Sequence, residues 1–285
     1  MAAPGRSGAV GTVLTCLYGK PDGFPVVFQS GSPGTRWKRP EVDRAARAAG
    51  VLLVVPDRPG YGGSTRRPGR TVASAAGDVA EIADAHGWPA FAVAGGSGGG
   101  PHALACAALL PSRVVRCAVS ASISPPDVSG AELSDDDLDP RRNRTAWLAA
   151  HDPDRLRGQL VEAGQAIMAM AEAGGPELPP EPGAIPAGRA IDDLEAMRRL
   201  HATFVDSIDG WLDDNIAFGL PWGFELQDIA VPVSLRFGNR DDRARRYAKV
   251  LHDLIPGSAL HEDRGAHIQS EAALRDLLSW CASEM

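Results

Sequence analysis

Glycines stand two positions either side of Ser97, in the run Gly95-Gly96-Ser97-Gly98-Gly99, and that run fits G-x-S-x-G. A short apolar strand precedes it and an Ala/Leu-rich helix follows, ending near Leu110. A serine at the apex of such a strand-to-helix turn is held in strained dihedrals, so its Oγ projects above the end of the sheet. Gly95 and Gly99 fall where a Cβ would meet the neighbouring strand or helix. The same turn aims a helix N-terminus at the serine and offers the Gly98 N–H to a developing oxyanion. A phosphate-cradling loop is the rival reading of these glycines. A dinucleotide fingerprint, however, opens the first βα unit of its domain and has an acid about 20 positions on. Here several strands precede the run, and the next acid, Asp127, lies beyond the following strand.

A serine hydroxyl is a poor nucleophile until a base takes its proton, and the base must be held in one tautomer by an acid. Among seven histidines, His86 and His252 fall late in helices, and His151 and His201 lie in a helical stretch. His102 sits on the helix behind the serine, where it reads as packed. His261 ends a strand and is the one serious rival to His267, which the small residues Gly265 and Ala266 leave with an uncrowded approach. Asp241, after the strand ending at Gly238, is the favoured acid, with Asp242 and Asp127 as alternatives. Twenty-six positions separate Asp241 from His267, room for one helix and one short strand that return the chain to the same sheet edge. The second oxyanion donor falls to the Ser32 N–H, in the glycine-containing run Ser30-Gly-Ser-Pro-Gly34 after an early strand. His261-Glu-Asp-Arg-Gly-Ala-His267 is not H-E-x-x-H, so no metal site is expected.

These residues need strands that all end at one edge. Apolar strands over Thr12–Tyr18, Pro25–Phe28, Val51–Val55 and Arg113–Ser120 alternate with helices, which predicts a parallel sheet built from right-handed crossovers. From Ser122 to Phe224 only helical patterns and breakers appear: Arg142–His151, Arg155–Ala173 and Ile191–Ile216, with a Pro/Gly-rich loop from Gly174 to Gly188. The sheet resumes at Val231–Phe237 and Ser258–His261. The chain therefore divides into a core at 1–121, a helical insertion at 122–225, and the rest of the core at 226–285. Trp147, Met168, Met170, Phe204, Trp211 and Phe218 are the large apolar residues of the insertion, candidates for a substrate-facing pocket.

A length of 285 residues with 44% hydrophobic residues supplies a sizeable core. A net charge of −7 and a pI of 5.5 speak against nucleic acid or an anionic membrane surface as partners. No run reaches transmembrane length, and Ala9–Leu17 reads as a first strand rather than a signal peptide. Four cysteines without ligand-like spacing read as free thiols in a reducing cytoplasm.

The chain resembles the α/β-hydrolase superfamily over nearly its whole length. Gly95-Gly-Ser-Gly-Gly99 and Pro56-Asp-Arg-Pro-Gly-Tyr-Gly-Gly-Ser64 are the specific matches. Gly238-Asn-Arg-Asp241, Gly265-Ala-His267 and Pro221-Trp-Gly-Phe224 support them. The resemblance implies an α/β fold, with a mostly parallel central sheet, helices on both faces and an inserted helical cap. It also implies a cofactor-free serine hydrolase with nucleophile Ser97, base His267 and acid Asp241. The expected substrate is an ester or amide of a small organic molecule, and the expected state a monomer or homodimer. Acyl transfer, C–C cleavage or a lyase step with the same triad, or ligand binding without catalysis, are the alternatives. Two departures stand out: Ser30-Gly31 replaces the family's usual His-Gly, and Gly98 replaces a larger residue, which predicts a roomier acyl pocket.

Overall fold

Alternation within the strands decides the architecture. In β4 (Phe91–Gly96), Phe91 and Val93 point to one face of the sheet while Ala92 and Ala94 point to the other. The same alternation divides β5 (Val114–Ser120), where Cys117 and Val119 oppose Ala118. Both sets are buried, so the strands read as continuous apolar runs and must be covered on both sides. The computed structural model describes residues 11–125, 140–172, 203–204 and 207–283, with backbone alone at 140–144, 146, 167–168 and 170–172.

Seven strands form one sheet in the order β1-β3-β2-β4-β5-β6-β7. The others are β1 (Thr15–Gly19), β2 (Phe24–Gln29), β3 (Val51–Pro56), β6 (Val233–Gly238) and β7 (Ala259–Asp263). Only β1, at one edge, runs antiparallel to its neighbour. Helices α1 (Pro40–Ala48) and α8 (Glu271–Ala282) cover one face through Ala46, Leu277, Leu278 and Cys281. The opposite face is covered by α2 (Ser74–Ala85), α3 (Gly100–Leu109) and α7 (Asp242–Leu254), through Val79, Leu104 and Leu251 among others.

The strand order places the site. From β2 the chain moves outward to β3, then returns to pair β4 against the other side of β2 and continues outward to β7. The crevice beyond the C-terminal ends of β2 and β4 is therefore the topological switch point, where α/β sheets bind their ligands. Ser32 follows β2 and Ser97 follows β4.

Between β5 and β6 lie α4 (Pro140–His151), α5 (Pro153–Glu172) and α6 (Asp209–Gly219). They share a small apolar core of Leu148, Ala149 and Leu156, against which Leu160, Ile216 and Leu220 pack. The loop expected at 174–188 and the helix start expected at Ile191 lie outside the described residues. The single helix expected over Ile191–Ile216 is broken: Thr203 is helical, Phe204 bends, and a separate helix begins at Asp209, whose N–H donates to Ser207 Oγ at 3.1 Å, and runs on to Gly219. Strand β7 is longer than expected. Asp263 pairs with Arg236 of β6 (2.6 Å) and carries the ladder two residues past His261. Among the described residues no helix is long and apolar enough to cross a membrane.

Candidate active site

Ser97 has φ 51°, in the left-handed region that side-chain-bearing residues rarely adopt. Such a conformation costs about 1–3 kcal/mol, which the burial of a single core leucine, about 1.5–3 kcal/mol, offsets. The turn closes so tightly that a Cβ on Gly95 would lie 2.4 Å from the Gly99 carbonyl oxygen, and one on Gly99 2.1 Å from that of Gln29. Only glycine fits at either place, as expected from the motif.

The His267 loop is brought to the serine across another glycine. A Cβ on Gly238 would stand 2.4 Å from the Ala266 carbonyl oxygen, so its absence lets the loop lie against the end of β6. Two ties then hold the loop: the Arg240 N–H donates to the Gly265 carbonyl (2.9 Å), and the Gly265 N–H donates to Asn239 Oδ1 (3.1 Å). In that position His267 Nε2 is 3.0 Å from Ser97 Oγ and Nδ1 is 2.8 Å from Asp241 Oδ2.

Asp241 also caps α7, its Oδ1 accepting from the Ala244 N–H at 2.9 Å. Burial raises its carboxyl pKa, but the hydrogen bonds from His267 and Ala244 outweigh that and leave it below the ordinary value. Asp242 points into solvent and pairs with Arg245, and Asp127 lies outside the described residues. His261 lies inside β7, in register with Arg236, rather than at a strand end, which removes it from the serine. His102 is buried, 1% exposed, with its ring 5.6 Å from Phe218.

Ser32 packs directly on Gly98. A Cβ on Gly98 would lie 2.7 Å from Ser32 Cβ, 3.2 Å from the Ser32 nitrogen and 3.1 Å from Phe218 Cζ. The space vacated at Gly98 is thus already filled, which corrects the expectation of a roomier pocket there. Of the other expected lining residues, Phe204 is 7% exposed and packs edge-on against half-buried Trp211, centroids 6.3 Å apart. Trp147 is 56% exposed and stacks on His151 of its own helix, one turn on. Met168 and Met170 fall on α5, where the backbone alone is described.

The loop after β3 clamps the loop after β2, and single-sequence reading missed this. Asp57 accepts from Thr35 Oγ1 (2.9 Å) and from the Arg36 backbone and guanidinium. The Arg58 guanidinium donates to the carbonyls of Ser30 and Gly31, the latter at 3.0 Å. The same guanidinium grips Asp214 of α6 through two bonds, at 2.6 and 3.3 Å, and Arg70 meets that carboxylate at 2.6 Å. Asp214 is 0% exposed. Burial alone would raise its pKa, but the Arg58 and Arg70 charges hold it well below the usual carboxylate range. Tyr61 donates to Asp214 Oδ2 at 2.9 Å, and its hydroxyl lies 3.1 Å from Ser32 Oγ. The signal for part of this network stood in Pro56–Ser64, where an arginine and a tyrosine follow a buried strand toward the switch point.

A family model described as "alpha/beta hydrolase fold" matches residues 25–157. A hydrolase from Pseudomonas aeruginosa superposes at a TM-score of 0.68 with 16% identity, over 97% of this chain and 96% of that one. An esterase from Exiguobacterium antarcticum superposes at 0.67 with 20% identity, over 99% and 100%. An enol-lactonase from Burkholderia xenovorans superposes at 0.63 with 18% identity, over 94% and 97%. No curated protein matches the sequence. With a seven-stranded, mostly parallel sheet wrapped by helices, the family model over residues 25–157 and full-length superposition on these structures, the chain has the α/β-hydrolase fold.

Proposed function

We propose that the chain is a serine hydrolase that cleaves an ester or amide bond of a small organic molecule through an acyl-enzyme on Ser97. One observation carries the reading: a single imidazole, His267, joins Ser97 Oγ at 3.0 Å to the buried Asp241 carboxylate at 2.8 Å. The printed descriptions of the esterase and the enol-lactonase among similar structures support an acyl substrate.

In this reaction Asp241 accepts the Nδ1–H of His267, which leaves Nε2 as the base. Ser97 Oγ attacks the substrate carbonyl as its proton passes to Nε2. The N–H groups of Gly98 and Ser32 hold the tetrahedral oxyanion. His267 then returns the proton to the departing alcohol or amine. Water, deprotonated by the same nitrogen, attacks the acyl-enzyme, releases the acid and restores the Ser97 hydroxyl. The helices between β5 and β6 act as the cap over this site, and Phe218 forms its wall beside Gly98.

Intact mass after exposure to a fluorophosphonate should show one adduct, mapping to Ser97 and absent from His267→Ala. Ser97→Ala should fold normally and lose on the order of 10⁴-fold or more in kcat. Undiminished turnover in that variant rejects the reading.

A further inference from the structure

We infer that Tyr61, itself oriented by Asp214, is a positioning residue that fixes Ser32 of the oxyanion loop through a directed chain of hydrogen bonds from α6. The inference rests on the serine-hydrolase reading and adds to it a tie that reaches the oxyanion donors from the helices between β5 and β6.

Proton counting gives the chain its direction. An ionised carboxylate only accepts hydrogen bonds, and two arginines hold Asp214 in that form. The single Tyr61 hydroxyl proton therefore goes to Asp214 Oδ2, 2.9 Å away. Burial, reinforced by the Asp214 charge, keeps that proton on the phenol far above neutral pH. The Tyr61 oxygen is left as an acceptor toward Ser32, so at 3.1 Å the Ser32 hydroxyl must be the donor. One arrangement satisfies all three groups; it holds the Ser32 Oγ in one rotamer, on a residue whose Cβ already lies against Gly98. The backbone N–H that shares the oxyanion with Gly98 belongs to the residue so held.

The far end of the chain is equally constrained. Arg58 bonds Asp214 and, with the same guanidinium, the Ser30 and Gly31 carbonyls that precede Ser32. Ser32 is thus fixed from its side chain by Tyr61 and from its backbone by Arg58, and both fixings meet at one carboxylate on α6. Phe218, four positions after Asp214 and so on the same helix face, reaches Gly98 itself.

The test is a double-mutant cycle of Ser32→Ala and Tyr61→Phe, read by p-nitrophenyl acetate hydrolysis and by the rate of fluorophosphonate labelling of Ser97. Each single variant should lose roughly 10- to 100-fold in kcat with KM changed by less than about threefold, since the oxyanion and not ground-state binding is affected. The double variant should be no slower than the slower single one, because both remove the same link. Losses that multiply, or single variants at wild-type kcat, overturn the inference. If Tyr61→Phe does not fold, Ser32→Ala decides alone: wild-type kcat there overturns it. A wild-type protein that is neither labelled nor active rejects the hydrolase reading, and this inference with it. A labelled wild type with variants labelled at full rate rejects the inference alone.

Discussion

His102 shows how a buried titratable group marks the stability of the whole chain. It lies on α3 behind the serine, 1% exposed, with Arg58 and Asp214 as neighbours. Burial, then the Arg58 charge, lowers its pKa from 6.5 to about 4. Between those two values the unfolded chain binds a proton that the folded chain refuses, so stability declines as pH falls from 6.5 to about 4. The full decline is about 3 kcal/mol, at 1.36 kcal/mol per unit. Urea midpoints at pH 7 and pH 4.5 should therefore differ, and His102→Gln should narrow the difference. Asp241 does not blur this window: its carboxyl is lowered below 3.8, so the stability it contributes is lost only as pH falls further. Ser97, Asp241 and His267 could be picked out from sequence because each lies within three positions of a glycine near a strand end. His102 could be read only as packed; burial, which that reading anticipates, does most to lower its pKa, and the Arg58 charge that adds to it comes from a residue remote in the chain.

At the scale of elements, α6 carries the load. Its Asp214 takes two arginines, from positions 58 and 70, and its Asp213 and Asp209 both pair with Arg66. Three arginines from the segment after β3 thus pin one short helix to the sheet edge. Exposed ion pairs contribute about 0–1 kcal/mol, but Asp214 is buried with Arg58 and Arg70, and removing its charge leaves buried guanidinium groups uncompensated, which costs about 3–5 kcal/mol. Asp214→Asn should lower the unfolding free energy by that order in urea titration, whereas Asp242→Asn, on the exposed N-terminus of α7, should leave it nearly unchanged. Nothing in the run Asp213-Asp214 separates the two acids by eye. Both are buried, and the partners that set them apart, Arg66 for Asp213 and Arg58, 156 positions earlier, for Asp214, are contacts that a single sequence does not reveal. Strand and helix identities were legible for the opposite reason: period-two and period-3.6 apolar patterns are local. Where local pattern and long-range pairing compete, as at β7, the pairing of Arg236 with Asp263 extended the strand beyond its apolar residues.

Across the whole molecule, the thiols report how completely the two faces are closed. Cys106, Cys117 and Cys281 are at most 1% exposed, with pKa values pushed up by burial, that of Cys281 to about 12. Cys16, on edge strand β1, is half-buried and also raised. Native protein at pH 8 should release colour from a disulfide reagent at Cys16 alone, and slowly; all four cysteines should react in urea. Reaction of more than one thiol in native buffer would contradict the packing described. The distance in sequence between the two ends of the candidate site has a kinetic meaning. Ser97 and His267 stand 170 positions apart, joined through a mostly parallel sheet whose last two strands bring in Asp241 and His267. Contacts of such high order form late, because the chain must close large loops before they are rewarded. During synthesis, then, the Ser97 turn leaves the ribosome long before Asp241 and His267 do, and a nascent or truncated chain lacking β6 and β7 cannot form the Ser97–His267–Asp241 contacts.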